Sequence, residues 1–511
     1  MRSLVNAAQT RARNKAAKAQ ASELFPIFRG PDAPYRSTSR ENTATSAWFP
    51  ASASTDDALL GSMRTLRDQS RDLDRNEGLA RGAIENYVTN VVSDGLRPQS
   101  RIDHRLLGVT EKRAREFEQM AEIIFEMHMG SDTADFHETA SFPLMQAQVL
   151  RAAFLDGDSL AVRRFSKRPG AILSTSVQLI DGARLRNPDR NVNPNMDVRE
   201  GVEFRDGAPV AFHVAKPGAN LFLGTETVRV PRFDSEGQPL ALHIFQQRLI
   251  GQSRGEPLLA PIIEKFKQIS RYSEAEIAAA VINAYYSMFI TTETGGTFGN
   301  RSQAHLSRDD EGAAVPVGRR SNTIEATKGT IVELLPNEKV MTAAPGRPNS
   351  NYDPFVQAVI KQIGIGLGLP YEVLTQHFQS SYSAARGAIL EAWKAFKARR
   401  AWLVSSFCQP VWEWVITDAV RAGLLEAPGF FESPLKRKLW LRTQWCGSEM
   451  ESIDPLKDAK AHEVDVKNGF DSRRSILESR GRDFDKLMRE LEEEKPFFST
   501  SPEKAAQLKP N

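Results

Sequence analysis

Residues 351–400 read NYDPFVQAVIKQIGIGLGLPYEVLTQHFQSSYSAARGAILEAWKAFKARR. The pattern predicts a helix, a glycine-rich end, a short aromatic loop and a second helix. Asp353 and Pro354 are predicted to open the first helix, because Asp favours the capping position and Pro the first helical position. The helix has an apolar face made of Phe355, Val356, Val359, Ile360, Ile363 and Leu367. The stretch holds no recognisable catalytic arrangement, which favours a mechanical or assembly role.

A glycine-rich run ends this first helix. Gly364, Gly366 and Gly368 each weaken a helix by about 1 kcal/mol relative to Ala, and Pro370 biases the residue before it away from helical geometry. The helix is therefore predicted to end near Leu367. The three glycines and the proline are predicted to act as a hinge that lets the following loop shift.

The loop that follows has neither helical nor strand periodicity. It consists of Gln376, His377, Phe378, Gln379, Ser380, Ser381 and Tyr382. Ser383 is predicted to cap the next helix, with Trp393 and Phe396 in the core. Phe378 and Tyr382 are either packed against the protein or presented to a partner, and the sequence leaves both possibilities open.

The second helix is strongly basic. Its cations are Arg386, Lys394, Lys397, Arg399 and Arg400. They form either a solvated helix face, partly compensated by Glu391, or a contact surface for a polyanion or for acidic residues of a neighbouring subunit. Both interpretations stay open at the level of sequence.

Composition narrows the class of protein. The 511 residues are 41% hydrophobic and 26% charged, which is ordinary for a soluble protein, and the length suggests three or four domains. A net charge of +3 argues against a protein that wraps DNA by bulk electrostatics. Cys408 and Cys446 suggest neither a disulfide framework nor a metal site, and a reducing compartment fits them.

No membrane anchor or secretory signal is predicted. No apolar run approaches the roughly 18 to 20 residues that a membrane helix needs. Residues 1–55 are polar and basic without the apolar core of a secretory signal, so they are interpreted as a flexible arm rather than as a mitochondrial transit peptide.

The rest of the chain predicts an α+β fold that is mainly helical. Helices are predicted at 59–92 with a break near 76–78, at 110–129, 142–155, 255–290, 409–425, 456–467 and 472–494. Strands are predicted at 159–165, 177–180, 202–204, 209–214, 228–230 and 240–245 in one continuing sheet, and at 330–335, 340–341 and 440–445. Either Pro257 or Pro261 is predicted to open the helix at 255–290. The strand at 340–341 is expected to pair with the strand at 330–335.

The search for an enzyme site is mostly negative. The chain has no phosphate-binding GxxxxGK[ST] loop, no HExxH and no Cys/His spacing for zinc. Asp156 and Asp158 could hold a metal, although a DGD sequence is more often only a turn. His137 and Glu138, near Asp132 and Asp135, are interpreted as a solvated acidic loop. No cofactor is expected.

The order of short motifs resembles tailed-phage portal proteins of the lambda type. The motifs are RDQSRDLDRN at 67–76, NVVSDGLRP at 90–98, DGD at 156–158, QLID at 178–181, GVE at 201–203, HIF at 243–245 followed by Arg248, GQSRGEP at 251–257, GLGLPYEVLT at 366–375, SSYSAARGAILEAWKAF at 380–396, Trp445, IDP at 453–455 and GF at 469–470. Each motif is weak alone, and about ten in one order over roughly 400 residues make a strong resemblance. Ser93 and Asp94 depart from the family's glycine-containing pair.

The resemblance implies a ring, usually of twelve copies, at one capsid vertex, through which double-stranded DNA is packaged and ejected. It assigns residues 1–55 to an arm, 56–250 to a wing, 251–290 and 351–370 to stem helices, 291–350 to a clip, 371–383 to a tunnel loop, 384–430 to long wing and crown helices, and 431–511 to a crown region with a charged tail. Residues 376–382 would face the DNA. No covalent chemistry is expected.

The same resemblance implies the partners and the location. The partners would be further copies of the chain, DNA, the terminase, a head–tail adaptor, and the major capsid protein or a scaffold, without a membrane. The protein would be found in the virion, and in the host cytoplasm during assembly. Two other functions stay open: a metal-dependent nuclease that uses Asp156 and Asp158, and a monomeric capsid adaptor or scaffold.

Overall fold

The fold is taken from a computed structural model of the chain. The structure describes residues 53–188, 197–217, 226–284, 288–292, 306–308, 314–316, 338–342, 351–378, 381–448, 454–480 and 484–498. Two compact units are formed by Met1–Asp57, of which only residues 53–57 are described, and by Ala58–Asn511. The predicted arm therefore lies almost wholly outside the described residues, and so do the predicted strand at 330–335 and most of 291–350.

Helices dominate the described residues, and strands form small sheets. The helices are α1 Thr55–Leu60, α2 Met63–Asn76, α3 Gly78–Val91, α4 His104–Leu107, α5 Glu111–Met129, α6 Phe142–Leu155, α7 Ile263–Ala284, α8 Tyr352–Leu367, α9 Tyr371–Thr375, α10 Tyr382–Leu403, α11 Gln409–Arg421, α12 Pro434–Trp440, α13 Pro455–Lys467, α14 Arg473–Ser479 and α15 Phe484–Phe498. The strands are β1 Arg97–Ser100, β2 Asp158–Phe165, β3 Thr175–Asp181, β4 Asp197–Arg199, β5 Val202–Arg205, β6 Ala208–Ala215, β7 Thr227–Pro231, β8 Ala241–Phe245, β9 Met288–Thr292, β10 Leu306–Arg308, β11 Ala314–Pro316, β12 Glu338–Thr342 and β13 Thr443–Cys446.

The predicted helices before residue 156 are present, although the first begins earlier, at Thr55, with an additional break at 61–62, and α4 was not predicted. α2 and α3 are separated at Glu77, where the break was predicted. α5 begins after Thr110, whose hydroxyl accepts a hydrogen bond from the Arg113 amide at 3.3 Å and so satisfies one of the amides left open at a helix start. α6 runs over the predicted residues, with a proline in its first turn.

The strands from 158 to 245 form two sheets, whereas one continuing sheet was predicted. The strand order is β3-β2-β8 in one sheet and β4-β5-β6-β7 in the other. A turn at 234–237 carries the chain from β7 across to β8, and the Asp234 carboxylate closes it by accepting from the amides of Glu236 and Gln238. Apolar residues of both sheets share one small core: Leu160, Val162, Ile180, Leu185, Val202, Phe212, Val214, Val230 and Ala241.

The predicted helix at 255–290 is too long at both ends. Residues before Ile263 are held by buried contacts of Arg254 and Gly255, and a 3₁₀ turn at Ala260–Ile262, with Pro261 in it, leads into α7. After Ala284, Met288–Thr292 is a strand, which suits its β-branched residues. This strand pairs with Glu338–Thr342. The strand predicted at 340–341 is therefore paired, among the described residues, with Met288–Thr292, whereas 330–335 was the expected partner.

The region around 351–425 also differs from the prediction in detail. α8 begins at Tyr352 with Asn351 at the capping position, and the Asp353 carboxylate instead accepts from the Gln357 side-chain amide at 2.7 Å. Residues 371–375 form the short helix α9 inside the predicted loop. Ser381, rather than Ser383, takes the capping position of α10.

α10 and α11 form one continuous helical run from 382 to 421, where two separate helices were predicted. They are joined by a π-helical turn, Val404–Cys408. Pro410 follows in the first turn of α11, and a proline lacks the amide that regular α-helical hydrogen bonding requires, so the wider turn precedes it. Gly423, at φ 75°, follows the helix end.

Two predictions for the C-terminal region were also wrong, and one is confirmed. α12 ends at Trp440, and the strand after it is Thr443–Cys446, paired with β1. The helix predicted at 472–494 is divided into α14 and α15. The helix at 455–467 is confirmed, with the Asp454 carboxylate capping it by accepting from the Lys457 amide.

One large core joins these helices. It includes buried aromatic residues from α3, α5, α6, α10, α11, α12 and the π-helical turn, namely Tyr87, Phe117, Phe125, Phe142, Phe154, Phe396, Phe407, Trp412, Trp414 and Trp440. Phe396 is in this core and Trp393 packs against it, as predicted. Among the helices that the structure describes, none combines the length and apolar character needed to cross a membrane.

Candidate functional site

The glycines at the end of α8 have specific steric roles. Gly368 takes a left-handed φ of 75°, and the Leu369 amide donates to the Gly364 carbonyl at 2.8 Å. This is a glycine helix end of the kind that satisfies the last carbonyls. A Cβ on Gly364 would lie 2.5 Å from the Leu369 carbonyl oxygen, so the tight reversal requires glycine there as well.

Gly366 serves a contact with the start of α7. A Cβ at this position would overlap the buried side chain of Ile262. Ile365, beside it, is 81% exposed. The glycine run therefore brings two long helices close together while it ends one of them. The predicted hinge role of Gly364, Gly366, Gly368 and Pro370 stays a prediction beside these packing roles.

α3 anchors both sides of the junction between α8 and α9. The Tyr87 hydroxyl donates to the Leu367 carbonyl at 2.6 Å, and the Asn86 side-chain amide donates to the Val373 carbonyl at 2.7 Å. The Tyr87 ring packs edge-on against Phe154 and Phe396, with centroid distances of 5.1 and 5.4 Å. Sequence reasoning gave no role to Tyr87 or Asn86, and the only available signal was a tyrosine on the buried side of a helix.

The predicted loop residues lie between α9 and α10. Gln376 has a left-handed φ of 54° and ends α9, and both it and His377 are exposed. Gln379 and Ser380 lie outside the described residues. Ser381 and Tyr382 are exposed at the start of α10. The segment is thus shorter than the predicted tunnel loop, with helix on both sides.

The two loop aromatics share an intermediate environment. Phe378 and Tyr382 are each 49% exposed, so neither is packed into the core. Phe378 lines a pocket of about 510 Å³ between α3, α9 and α10. Its other walls include the polar side chains of Asn86, Thr89, Asn90 and Ser93 and the rings of Trp393 and Phe396. Phe378 therefore contacts the pocket, and about half of its side chain stays exposed to solvent.

Most of the basic residues of α10 are used inside the subunit. Arg386 pairs with Asp458 at 3.2 Å, and Lys394 with Glu391 at 2.7 Å. Arg400 is half-buried and donates to the carbonyls of Asn90, Val91 and Ser448. These contacts favour the interpretation of a structural and solvated face over that of a dedicated polyanion surface.

The DGD turn is the centre of a buried ion-pair cluster. Asp158 and Arg254 are both fully buried, and the Arg254 guanidinium donates to both carboxylate oxygens, one at 3.0 Å. Arg67 reaches the same carboxylate at 3.3 Å, and His243 Nε2 lies 3.0 Å from it. Asp156 pairs with Arg71 at 2.5 Å.

This cluster contradicts the metal-site interpretation of Asp156 and Asp158. Their carboxylates already accept from arginines, and cations at those positions repel a metal ion. Within the described ranges, no group of three or more His, Cys, Asp or Glu side chains could hold a metal. The acidic loop near His137 is likewise structural, since Glu138 pairs with Arg168 at 3.0 Å and the Asp135 carboxylate accepts from the Thr139 amide and hydroxyl.

Burial and neighbouring charges set the protonation of the cluster. Burial alone would raise the pKa of Asp158, but Arg254 and His243 outweigh it and hold that pKa well below its usual range. Burial lowers the pKa of His243, which keeps the ring neutral at pH 7, and its N–H then donates to Asp158. The cluster fastens the segment before α7 to the strand β2, and it lacks any group poised for acid–base chemistry.

The chain is similar to known proteins over most of its length. Residues 41–400 match the model of the family described as phage portal protein, lambda family. Portal protein B of Escherichia phage lambda is 24% identical over 477 residues, which cover 91% of this chain and 88% of the relative. The portal protein of Escherichia phage N15 is 24% identical over 456 residues, which cover 86% and 85%. A chain from the neck of a native gene transfer agent particle, covering 86% of this chain and 97% of its own length, gives a TM-score of 0.42 at 10% identity, too low to bear on the fold.

Proposed function

The chain belongs to the lambda family of phage portal proteins, and we propose that its copies close into a ring whose central channel passes double-stranded DNA. Portal proteins of phages are structural components of the virion. A closed ring needs a head-to-tail interface in which each subunit uses two different surfaces. We assign the DNA-facing position to residues 376–382, from the end of α9 to the first residue of α10.

The anchored junction supports this assignment. α3 holds the last residue of α8 and the chain within α9 by two buried or half-buried hydrogen bonds, while Gln376 to Phe378, Ser381 and Tyr382 stay exposed. A segment that follows an anchored junction and keeps its side chains exposed is suited to line a passage. It is the single observation that carries the proposal beyond family membership.

The side chains of this segment suit DNA that slides past them rather than DNA that is bound tightly. Residues 376–382 contain Gln, His, Phe, Ser and Tyr but neither Lys nor Arg. Each Lys or Arg paired with a phosphate adds a salt-dependent affinity that resists sliding. A polar and aromatic lining avoids this resistance.

The remaining regions take the roles that the family assigns. We place the wing at 56–250, the stem in α7 and α8, the clip at 291–350, the long wing and crown helices at 384–430, and the crown with its charged tail at 431–511. The clip receives the terminase and later a head–tail adaptor, and the outer surface of the ring meets the major capsid protein or a scaffold. Assembly takes place in the host cytoplasm.

Electron microscopy of the purified protein tests the ring. We expect rings with a central hole, and a count of their subunits gives the symmetry. A protein that stays monomeric at high concentration, measured by light scattering, would contradict the proposal and favour a monomeric adaptor or scaffold instead.

A further inference from the structure

A rigid turn after β8 presents two apolar side chains to solvent. Leu249 is 61% exposed and Ile250 is 98% exposed. The turn is closed from inside, because the buried Gln252 side chain accepts from the amides of Arg248 and Leu249 at 2.9 and 3.3 Å. Gly251 completes it with a φ of 83°. We call residues 248–251 the apolar turn. Arg248 and Gly251 belong to motifs that carry the family resemblance, and the proposed DNA channel gives these motifs no role.

A groove of about 490 Å³ lies between α2 and α7. Its apolar lining consists of Leu66, Ala260 and Ile263, and its polar lining of Gln69, Glu264, Lys267, Gln268 and Arg271. We call it the α2–α7 groove. It combines an aliphatic floor with a charged rim, which is the composition expected of a surface that receives a small apolar projection.

The apolar turn and the α2–α7 groove are bounded by different elements. The strand before the turn contacts α10, where the Trp402 indole donates to the Phe245 carbonyl at 3.3 Å. The groove is bordered by α2, which an ion pair between Lys267 and Asp72 at 3.2 Å joins to α7. Two different surfaces, one convex and one concave, are what a head-to-tail ring contact requires.

One charge beside each surface has the opposite sign to the other, although the groove rim also carries Arg271 and Lys267, of which Lys267 pairs with Asp72. Arg248 is the first residue of the apolar turn, and its side chain is 59% exposed although it pairs with Glu256 at 2.9 Å. Glu264 lies on the rim of the groove and is exposed. A guanidinium has five N–H donors, so Arg248 can keep Glu256 and still bind a second carboxylate.

We propose that the apolar turn of each subunit inserts into the α2–α7 groove of the next subunit in the ring, with Arg248 beside Glu264. This inference rests on the proposed ring and adds which surfaces build it. The occupant is a second copy of the chain, because the aliphatic floor, the projecting Leu249 and Ile250 and the opposite charges all lie on this same chain.

Disulfide cross-linking tests the contact directly. The double variant Ile250→Cys with Gln268→Cys should give a ladder of covalent multimers on a non-reducing gel after mild oxidation. Cys408 and Cys446 are buried, so they should add little background. The matched control joins Ile250→Cys to Leu435→Cys, whose position is 70% exposed on α12, and it should give no ladder.

Two single variants test the same contact without cysteine. Ile250→Asp places a charge on the projection, and Gln69→Trp fills the groove from an exposed position. Each should raise the concentration needed for ring assembly at least tenfold, measured by analytical ultracentrifugation, whereas Leu106→Asp, at a leucine that is 66% exposed elsewhere, should not. Circular dichroism confirms that each variant folds.

The outcomes separate this contact from the ring itself. The proposed contact is wrong if rings form but the 250–268 cysteine pair gives no ladder, or if both single variants assemble normally. Either result leaves the proposed DNA channel unaffected. Absence of rings from the unmodified protein overturns both the proposed function and the contact.

Discussion

The Tyr87 hydroxyl and the Leu367 carbonyl oxygen lie 2.6 Å apart, in a hydrogen bond that joins the middle of α3 to the last residue of α8. The last carbonyls of a helix have no partner within the helix. Here a buried tyrosine from 280 residues earlier supplies one. The glycine-rich helix end is therefore fixed by a neighbouring helix as well as by its own backbone.

Replacing Tyr87 by Phe should loosen this junction. The ring still packs against Phe154 and Phe396, but the Leu367 carbonyl loses its donor, which costs about 1 kcal/mol. The measurement is the midpoint of urea unfolding followed by tryptophan fluorescence. Tyr352→Phe is the control, because its hydroxyl contacts Ser273 at 3.0 Å in a partly exposed position and should matter less. Equal effects of the two changes would argue against the anchor.

The glycines of α8 give a second prediction, with a control on α10. Gly364→Ala should destabilise the protein, because the new methyl group would meet the Leu369 carbonyl oxygen at 2.5 Å. Gly387→Ala meets nothing within 4 Å and should stabilise its helix by about 0.5 to 1 kcal/mol. Thermal unfolding of both variants measures the difference. If the two changes shift the midpoint in the same direction, the steric role of Gly364 is wrong.

The sequence predicted the end of α8 but not the distant contacts that hold it in place. Leu367 as the end of α8 followed from local chemistry, since glycine and proline act on their own neighbours. The anchor from Tyr87 and the pair of Asp158 with Arg254 join residues 280 and 96 positions apart. Contacts of that range depend on packing, which no local periodicity encodes.

Errors in the sequence prediction also have physical causes. The start of α7 was placed too early because either Pro257 or Pro261 could open the predicted helix at 255–290. The burial of Arg254 against Asp158, which ties down the backbone just before that helix, is not visible in the sequence. The continuity of α10 with α11 was missed because Pro410 suggested a helix start, whereas a π-helical turn accommodates it. The order of the motifs identified the family. The structural role of each motif became clear only from the contacts that its residues make.

The buried pair gives a third prediction. Arg254→Met leaves the Asp158 carboxylate buried with less compensation, and breaking a buried pair in this way costs about 3 to 5 kcal/mol. The free energy of unfolding measures this loss. Arg113→Met is the matched control, because Arg113 and Glu426 form an exposed pair whose loss costs about 1 kcal/mol or less. Similar losses in the two variants would contradict a structural role for the cluster.

The pH dependence of stability follows from the buried histidines. Burial lowers the pKa of His128, His213 and His243 in the folded protein. As the pH falls through about 6.5, the unfolded chain takes up protons at these rings and the folded chain does not, so stability decreases. Asp158, whose folded pKa is below its usual range, adds a further loss as the pH falls below about 4.

The contribution of His243 can be isolated. His243→Gln keeps a side-chain amide that can donate to Asp158 but cannot titrate. The variant should lose less stability than the unmodified protein between pH 7 and pH 5, measured by urea unfolding at each pH. An identical slope in both proteins would show that His243 already takes up its proton in the folded state.

The segment between α9 and α10 carries the last prediction. Replacing residues 376–382 with a Gly/Ser linker of equal length, with serine kept at position 381 just before α10, should leave ring assembly intact, because Tyr87 and Asn86 anchor the chain before the segment. Packaging or retention of DNA should fall, since the polar and aromatic lining is gone. Phe378→Ala with Tyr382→Ala should reproduce part of the loss, whereas Phe233→Ala, at another half-exposed aromatic, should not. A nuclease-protection assay on packaged particles measures the effect. Normal packaging and retention by the linker variant would show that the segment does not touch the DNA, even if the ring is correct.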